Sequence, residues 1–490
     1  MQKVGFAFGL ALVLASVSSG SSVLAQEQQQ QPREEEEALR GEPNGLSADA
    51  VGKRAADTSY SAKASAEALR GAAARVDAAW SAFLPRLSTV ASYTRLSPLT
   101  PPTLGTLIVS NEPAGPITSF TNASGQPTII AQPLSFPVVL DNWLLQATLT
   151  VPISDYFFRI NQNYTAATNA REAAKYDLGS ARTKSASDGK ITFYNYLRAK
   201  GALVVAKLAL EDQKTHLTDT KNLSEVGNAT RVDVLRGETA VAAAELAVVQ
   251  SQNFLDLAIK QLRVAMHVED SFPIASSETL DATALPAVQG NLQSLIAEAQ
   301  TQRFEVRSID ANAASARQQA RAARAGAYPV VSAFGDAILA NPNQRIFPQT
   351  QEWFPTWDLG VRITWSPNDV PTALASSADA NTRAAGLDAQ KQVVRDGIAI
   401  EVTQAYQAVQ EADFSLTSTA KQLSSAREAV RVARELFKAG RVNSTTLTDA
   451  ETELTRARLA VLNARIDART ARVRLDHALG RDNRLVTLNP

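Results

Sequence analysis

Residues 225–235 read EVGNATRVDVL, and residues 438–443 read KAGRVN. In each stretch a glycine, Gly227 or Gly440, follows one long helical pattern, and another pattern begins about three residues later. Glycine suits a tight reversal, because it adopts backbone conformations that other residues avoid. The two glycines lie 213 positions apart, which indicates that the chain contains one helical hairpin twice.

Two further pairs of segments repeat at similar distances. Trp143 and Trp357 open short strand-like segments 214 positions apart, and Leu84-Pro85 and Tyr328-Pro329 open another pair 244 positions apart. The 30-residue difference falls between paired strands, where the first copy has a longer loop than the second: 97–141 against 340–356. Duplication followed by a change in loop length explains all of these offsets.

The helices after the two glycines carry a strict seven-residue repeat of apolar residues, with a small residue three positions behind each. In the first copy these are Val234, Val241, Val248, Leu255 and Leu262, followed by Gly237, Ala244, Ser251, Ala258 and Ala265. In the second they are Leu447, Leu454, Val461, Ala468 and Leu475, followed by Ala450, Ala457, Ala464, Ala471 and Ala478. Such a repeat predicts closely approaching helices that supercoil left-handed. Taken alone, it is also compatible with an ordinary bundle core.

The predicted helices are unusually long. Four of them are expected at about 157–226, 230–268, 373–439 and 443–479. The first contains no proline and extends over about 70 residues, or about 105 Å. Two half-length runs of about 36 residues are predicted to stack end to end with the shorter helices: 47–82 and 291–326. These lengths far exceed the globular mean of about 11–12 residues and predict an array of long hairpins.

β-Strands are predicted for four short segments: 84–96, 143–153, 329–339 and 357–365. In the second and fourth, apolar and polar residues alternate, which suits a half-buried soluble sheet or a lipid-facing barrel strand. Trp357 and Trp365 favour the barrel, because they would lie about 26 Å apart, near the height of an outer-membrane apolar band. With Trp143 they form the predicted aromatic girdle. Four strands do not close a barrel and open edges are excluded in lipid, so three copies with twelve strands are expected.

With this duplicated pattern of long hairpins and strand pairs, the chain resembles the TolC-like outer-membrane efflux proteins over about residues 47–480. The specific parts are Gly227-x-x-Thr230-x-x-Asp233-Val234-Leu235, a weaker copy from Gly440, and the ending Ala478-Leu479-Gly480. The resemblance implies a mainly α fold with a small β part: a homotrimer with a twelve-stranded barrel in outer-membrane lipid above a periplasmic α-helical tunnel. It also implies a passive exit duct for efflux or type I secretion, served by an inner-membrane pump and a periplasmic adaptor.

The resemblance suggests where the tunnel is closed. Its periplasmic tip is expected at the two turns, marked by Gly227, Thr230, Asp233 and Gly440. Asp233 matches the family's acidic position in the first turn, and Asp449 matches a position of an acidic ring in the lumen. The neighbouring ring position is Thr446, and Phe437 and Val442 stand where hydrogen-bonding side chains of the closed state can occur. The residues alone leave two alternatives for Asp449, the lumen or a solvated helix face.

The remaining segments complete the expected organisation. Lys3, an apolar stretch and Val23-Leu24-Ala25 predict a signal peptide over residues 1–25, and a Gln/Glu-rich composition predicts a disordered leader over 26–46. The other predicted segments are a first structural repeat, an equatorial linker, a second structural repeat and a C-terminal tail: 47–269, 270–290, 291–480 and 481–490. The alternative is a periplasmic coiled-coil adaptor or structural protein without a membrane-spanning barrel, which leaves the paired strands unexplained.

Composition argues against several classes of function. The chain has 49 basic and 49 acidic residues and no cysteine, so it offers no disulfide and no net charge for a nucleic-acid partner. The three histidines, His216, His267 and His477, lack clustered metal-ligating neighbours in the sequence. No catalytic or phosphate-binding motif occurs, so no enzyme, cofactor or metal is expected. Six arginines within 456–474 are interpreted as a solvated helix face.

Overall fold

The computed structural model describes residues 40–98, 105–110, 120–121, 124–125, 129–133, 138–280, 285–486 and 488. The predicted signal peptide, and the predicted leader as far as residue 39, lie outside the described residues. The chain forms two compact units. The helical unit consists of the described residues of Met1–Gly71, Glu172–Asp310 and Asp388–Pro490, and the sheet unit of those of Ala72–Arg171 and Ala311–Leu387.

Long α-helices dominate the described residues. They are α1 (Ala48–Thr58), α2 (Tyr60–Ser81), α3 (Asn161–Glu225), α4 (Arg231–Met266), α5 (Leu292–Gln302), α6 (Phe304–Arg324), α7 (Val370–Lys438) and α8 (Ser444–Leu479). Shorter helical turns cover Ile153–Asp155, Tyr156–Ile160, Ala325–Ala327, Pro367–Asp369 and Arg481–Leu485. With 65 residues in α3 and 69 in α7, the prediction of very long helices is confirmed. None of the helices in the described part of the chain has the length and hydropathy to cross a lipid bilayer.

Both half-length runs contain a break, so their prediction as single helices is wrong. At Ser59 and Arg303 the backbone leaves the helical region, with ψ of 132° and 131°. The Ser185 hydroxyl of α3 then donates to the Ser59 hydroxyl at 3.0 Å. The Arg303 guanidinium donates to Glu305 at 3.0 Å and to Glu401 of α7 at 3.1 Å. At each break, the side chain of the non-helical residue, Ser59 or Arg303, thus makes hydrogen bonds with a neighbouring helix.

The sheet unit contains the four predicted strands in one antiparallel sheet. In the described residues the strands are β1 (Arg86–Arg95), β2 (Thr106–Ser110), β3 (Ile129–Pro133), β4 (Asp141–Val151), β5 (Val330–Asn341) and β6 (Phe354–Thr364). The order in the large sheet is β1-β4-β5-β6, with every neighbouring pair antiparallel. The two other strands form a separate hairpin, β2-β3, inside the long loop of the first copy. The sequence pattern did not predict this hairpin.

The register of the large sheet separates a polar face from an apolar one. Thr148 pairs with Asp336, which pairs with Asp358, so these three side chains share one face. The adjacent residues lie on the opposite face, where large apolar side chains are exposed: Leu87, Leu145, Leu149, Leu359, Val361 and Ile363. An exposed apolar sheet face of this kind requires a partner other than water.

Helix α8 lies between the two main apolar clusters of the helical unit. One cluster joins it to α1, α3 and α4, through Val51, Phe193, Leu197, Leu262, Met266, Leu462 and Ile466. The other joins it to α5 and α7, through Leu295, Ala299, Val402, Val409, Ala471 and Leu475. Contact with α3 is close at Gly201, where a Cβ atom would lie 2.5 Å from Leu462 Cδ1. Gly201 is a small residue that permits close approach of α3 and α8, but it is not one of the small seam residues predicted on α4 and α8.

The arginines of α8 hold the segment that follows α4. Arg465, Arg469 and Arg472 donate to the carbonyls of Leu280, Thr279 and Pro286 at 2.8, 3.4 and 3.3 Å, respectively. A fourth, Arg458, is buried in the helical unit. The interpretation of the six arginines as one solvated face is wrong for these four, because the linker and neighbouring helices cover them.

Backbone hydrogen bonds order the described end of the predicted leader. The Glu42 and Leu46 amides donate to the carbonyls of Ser276 and Ala275 at 2.6 and 2.7 Å. The Ser277 amide donates back to the Leu46 carbonyl at 2.9 Å, which makes a short parallel bridge. The chain between residues 41 and 46 is therefore attached to the linker before α1 begins.

Candidate functional site: apolar sheet and helical tip

Aromatic side chains flank the apolar face of the sheet at the end where the loops connect the strands. The Trp143 ring lies 4.5 Å from that of Tyr93, and the tyrosine hydroxyl donates to Asp141 at 2.8 Å. Trp357 on β6 is 75% exposed. Amphipathic rings of this type favour the boundary between hydrocarbon and water. Trp143 lies near the loop end of β4, whereas Trp357 pairs with Ala337 and is level with Ala147. Their place in an aromatic girdle stays a prediction.

A second group of aromatic residues lies at the opposite end of the strands, where the sheet meets helices. Trp365 follows β6 directly, and its indole nitrogen donates to the Ala327 carbonyl at 3.3 Å. Only Trp365 was predicted here from the sequence, and exposed or paired aromatic side chains join it: Trp80, Phe157, Phe158 and Tyr328. Their positions just outside the predicted strands were the available signal. The apolar face is thus bounded by aromatic residues at both ends.

Charged and polar side chains occupy the other face of the sheet. Asp336 accepts hydrogen bonds from Thr148 and from Gln146, the latter at 3.0 Å. Arg345 donates to Asp358 at 2.8 Å. The guanidinium of Arg362 lies 4.6 Å from the centre of the Phe334 ring. These ionised groups share the polar face, whereas the ion pair of Arg95 and Asp141 lies in register with the apolar face, at its loop end.

The first tip turn joins α3 to α4 through Gly227, whose φ of 79° requires a glycine-like conformation. Thr230 then begins α4 with reciprocal capping bonds. Its amide and hydroxyl donate to the Asp233 carboxylate at 3.0 and 2.6 Å, and the Asp233 amide donates to the Thr230 hydroxyl at 3.2 Å. Hydrogen bonds from Thr230 lower the pKa of Asp233. Thr230 and Asp233 are thus bonded to each other at the start of α4, directly after the turn at Gly227.

The second tip turn repeats this geometry with different residues. Gly440 has a φ of 67°, and Asn443 begins α8 by accepting from the Thr446 amide at 3.0 Å. The Thr446 hydroxyl also donates to the Asn443 side chain, at 2.8 Å. Thr446 is therefore engaged in the helix cap. Asp449, one turn further along α8, is exposed.

The two side chains that depart from the family pattern at the tip are packed against apolar neighbours. Phe437 is buried, and its ring stacks on that of His216 with 5.2 Å between centres. Val442 contacts the same cluster, which includes Leu447 and Leu223. These residues hold the end of the second hairpin together by apolar contact, in place of polar bonds.

A cluster of buried charges, the tip cluster, lies further along the same helices and was not predicted. It consists of Asp212 on α3, Arg434 on α7, and Glu451 and Arg458 on α8. Glu451 and Arg458 stand four positions after the seam residues Leu447 and Leu454. Charged residues flank helical seams in many proteins, so their positions alone did not reveal that these two are buried.

The histidines of the described residues have individual partners, and no group of three or more His, Cys, Asp or Glu side chains is placed there to hold a metal ion. His216 is buried, and its Nε2 lies 3.0 Å from the Ser444 hydroxyl. His477 Nδ1 lies 2.7 Å from Asp482. His267 ends α4 in a left-handed conformation, with φ of 50°. The equivalent residue 213 positions later is Gly480, with φ of 71°, which matches the duplication.

The sequence model of the outer membrane efflux protein family matches residues 53–266 and 295–481, which together make up most of the chain. The chain belongs to this family. The two matched regions correspond to the two copies of the duplicated design, separated by the linker. No curated protein sequence is significantly similar to this efflux protein.

Solved structures of outer-membrane channels share the fold of this efflux protein. CusC superposes with a TM-score of 0.70 at 16% identity, covering 89% of this chain and 92% of that one. The outer-membrane channel OprN superposes with a TM-score of 0.68 at 18% identity, covering 93% of this chain and 96% of that one. The Campylobacter jejuni outer membrane channel CmeC superposes with a TM-score of 0.68 at 16% identity, covering 88% of this chain and 85% of that one. At these identities the likeness concerns the fold.

Family membership establishes the general function. This efflux protein is an outer-membrane channel subunit of an efflux system, with long helices that belong to a periplasmic tunnel. Channels of the family are trimers that work with adaptors and inner-membrane pumps, and they are not enzymes. The alternative of a periplasmic adaptor or structural protein without a membrane part is therefore wrong.

Proposed function

We propose that three copies of this efflux protein bring their sheets together as a twelve-stranded barrel in outer-membrane lipid. The observation that carries the proposal is the sheet, whose exposed apolar face is bounded by aromatic side chains at both ends. β1 and β6 are its outer strands, each with one neighbour in the sheet. Because unpaired strand edges are costly in hydrocarbon, β6 of one copy pairs with β1 of the next.

The polar face of the sheet then lines an aqueous lumen. Asp336, Asp358 and Arg362 lie on this face, where water solvates their charges. The channel is a passive exit duct, and an inner-membrane pump with a periplasmic adaptor delivers the substrates, in drug efflux or in type I secretion. The substrate class is set by the pump, because the duct itself contributes no reaction.

The experiment that tests the barrel combines oligomer mass with a pair of neighbouring substitutions. Light scattering in mild detergent should give three chains per particle, and a stable monomer would contradict the proposal. Leu145 and Gln146 are adjacent in β4 and lie on opposite faces. Leu145→Arg should cost about 2–4 kcal/mol near the bilayer centre and reduce heat-modifiable trimers in outer-membrane fractions, whereas Gln146→Arg should be tolerated. Equal loss in both variants would show that the apolar face does not meet lipid.

We also propose that the tunnel closes at the tip turns and that Asp449 forms part of its narrowest ring. Asp449 is exposed on a single chain and lies about 8 Å along α8 from Ser444, its first residue. Three copies around the axis attract cations and repel anions at short range, where salt screening is weak. Thr446, the neighbouring ring position, adds no charge.

Planar-bilayer recordings test the ring. Asp449→Asn should lower cation selectivity, and Asp449→Lys should invert it or block the channel. Glu428→Lys, which makes the same charge change at an exposed site of α7, should leave selectivity unchanged. Asp233→Ala should raise basal conductance with little change in selectivity, because it loosens a tip turn. Unchanged selectivity in Asp449→Lys would place that side chain outside the lumen.

A further inference from the structure

The tip cluster joins both hairpins through four charged side chains, three of which are almost completely buried. Side-chain exposure is 2% for Glu451, 4% for Arg458 and 7% for Asp212. Arg434 lies 3.3 Å from one Glu451 oxygen and 3.5 Å from Asp212, and Arg458 lies 3.0 Å from Asp212. Gln213 of α3 donates to the other Glu451 oxygen at 3.1 Å. Carboxylates of α3 and α8 therefore share one guanidinium of α7.

Burial disfavours the ionised form of Glu451. The loss of water around its side chain raises the pKa of Glu451 to about 7, and the negative charges of Asp212 and Asp219 act in the same direction. Arg434 opposes this shift. Its effect is limited, because Asp212 shares the guanidinium and both contacts are longer than a good charge-assisted hydrogen bond.

Other polar and charged side chains surround the cluster. Burial lowers the pKa of His216, so its ring is uncharged there, bonded to Ser444 and stacked on Phe437. Lys438 of α7 lies 3.9 Å from Asp219 of α3. Glu451 is the group of the cluster whose pKa burial raises to about 7.

We propose that protonation of Glu451 holds α3 of the first hairpin against α7 and α8 near the tip, as a latch that is tight in acid and loosens in alkali. When the hairpins separate, water reaches Glu451 and its pKa returns towards the ordinary value of 4.5. The latched form thus binds the extra proton. Its advantage is complete below the ordinary pKa and is lost as the pH rises through about 7. The latch regulates the channel through the closure at the tip, and in this respect the inference rests on the proposed function.

Because the chain contains no cysteine, one introduced thiol reports on the latch without interference. Ala433 of α7 is buried against Leu447 of α8 and Leu223 of α3, so Ala433→Cys becomes accessible when these helices separate. Ser424→Cys, exposed on the same helix, corrects for the pH dependence of the thiol itself. The measured quantity is the ratio of the two modification rates in the full-length protein in detergent.

We expect this ratio to rise about tenfold between about pH 6 and pH 8.5. With Glu451→Gln, which imitates the protonated side chain, it should stay low across the range. Glu453→Gln, exposed two residues away, should behave like the parent protein. A ratio that is flat in the parent, or a pH dependence that persists in Glu451→Gln, would overturn the proposal.

Conductance measured over the same pH range separates this inference from the proposed gate. If thiol accessibility and conductance rise together, both the latch and the closure at the tip are supported. If accessibility rises while conductance stays constant, the latch is upheld and the proposed closure at the tip is wrong.

Discussion

Helices α4 and α8 have the same length and the same seven-residue repeat, yet their burial differs greatly. Each has 36 residues, of which five are buried in α4 and sixteen in α8. α8 lies between the two main apolar clusters of the helical unit, whereas α4 contributes to only one of them. The repeat therefore specifies one packed face, and the surroundings in the folded chain determine whether the other faces are covered.

The uncovered side of α4 is not polar. Large apolar side chains are exposed along it: Leu246, Val249, Phe254, Leu257 and Val264. A stripe of this kind is unfavourable in water, and in the proposed trimer we expect a neighbouring chain to cover it. The same repeat thus serves internal packing in the second hairpin and leaves a face for assembly in the first.

The largest difference between the two helices is expected at Arg458 and its counterpart 213 positions earlier, Glu245. Arg458→Ala breaks a buried ion pair with Asp212 and leaves that carboxylate without one of its cations, at a cost of about 3–5 kcal/mol. Glu245 is exposed, so Glu245→Ala should change stability by less than about 0.5 kcal/mol. Unfolding in guanidinium chloride, followed by circular dichroism, measures both. Similar midpoints for the two variants would contradict the comparison.

A smaller difference is expected at the small residues of the seam. Ala457 of α8 is 5% exposed, so Ala457→Leu should overpack the contact and cost about 1–3 kcal/mol. Its counterpart Ala244 is only half-buried, and Ala244→Leu should cost less. Ser424→Leu at an exposed site of α7 serves as the control for the added volume. If all three variants unfold at the same denaturant concentration, the seam is not closely packed.

The smallest effects concern the caps, where the two hairpins should be nearly equal. Thr230→Ala and Asn443→Ala each remove the side chain that accepts at the start of a helix, and each should cost about 1 kcal/mol. Acid should distinguish them. The lowered pKa of Asp233 means that its share of the first cap is present above the ordinary carboxyl pKa and is lost as the pH falls through the lowered value. Asn443 does not titrate, so equal acid sensitivity in hydrogen exchange of both turns would refute this account.

The hairpins and strands could be predicted because their signals are local and repeated. Gly227 and Gly440 mark turns that need positive φ, and alternation at period two marks β4 and β6. The break at Arg303 could not be predicted, since no proline or glycine stands there and the interruption is accompanied by bonds to distant residues such as Glu401. The β2-β3 hairpin could not be predicted either. Its strands are only five residues long and lie within a long loop.

The candidate sites also differ in whether their residues are close together in the sequence. The capping partners Thr230 and Asp233 stand three positions apart, so local sequence contains all that the contact requires. The tip cluster combines Asp212 with Glu451 and Arg458, which are distant in sequence and look like ordinary flanking charges of a coiled coil. Their burial, and with it the altered protonation of Glu451, depends on how three helices pack.

The sequence by itself thus determined the duplication, the long hairpins, the four strands and the glycine turns, because each depends on residues close together or on a fixed period. Only the tertiary structure decided which helix faces are covered, where Ser59 and Arg303 interrupt α-helix, and which charges lose contact with water. The physical reason is that desolvation is a property of the whole environment of a side chain. Neighbours contributed by distant segments set that environment, and no local pattern records them.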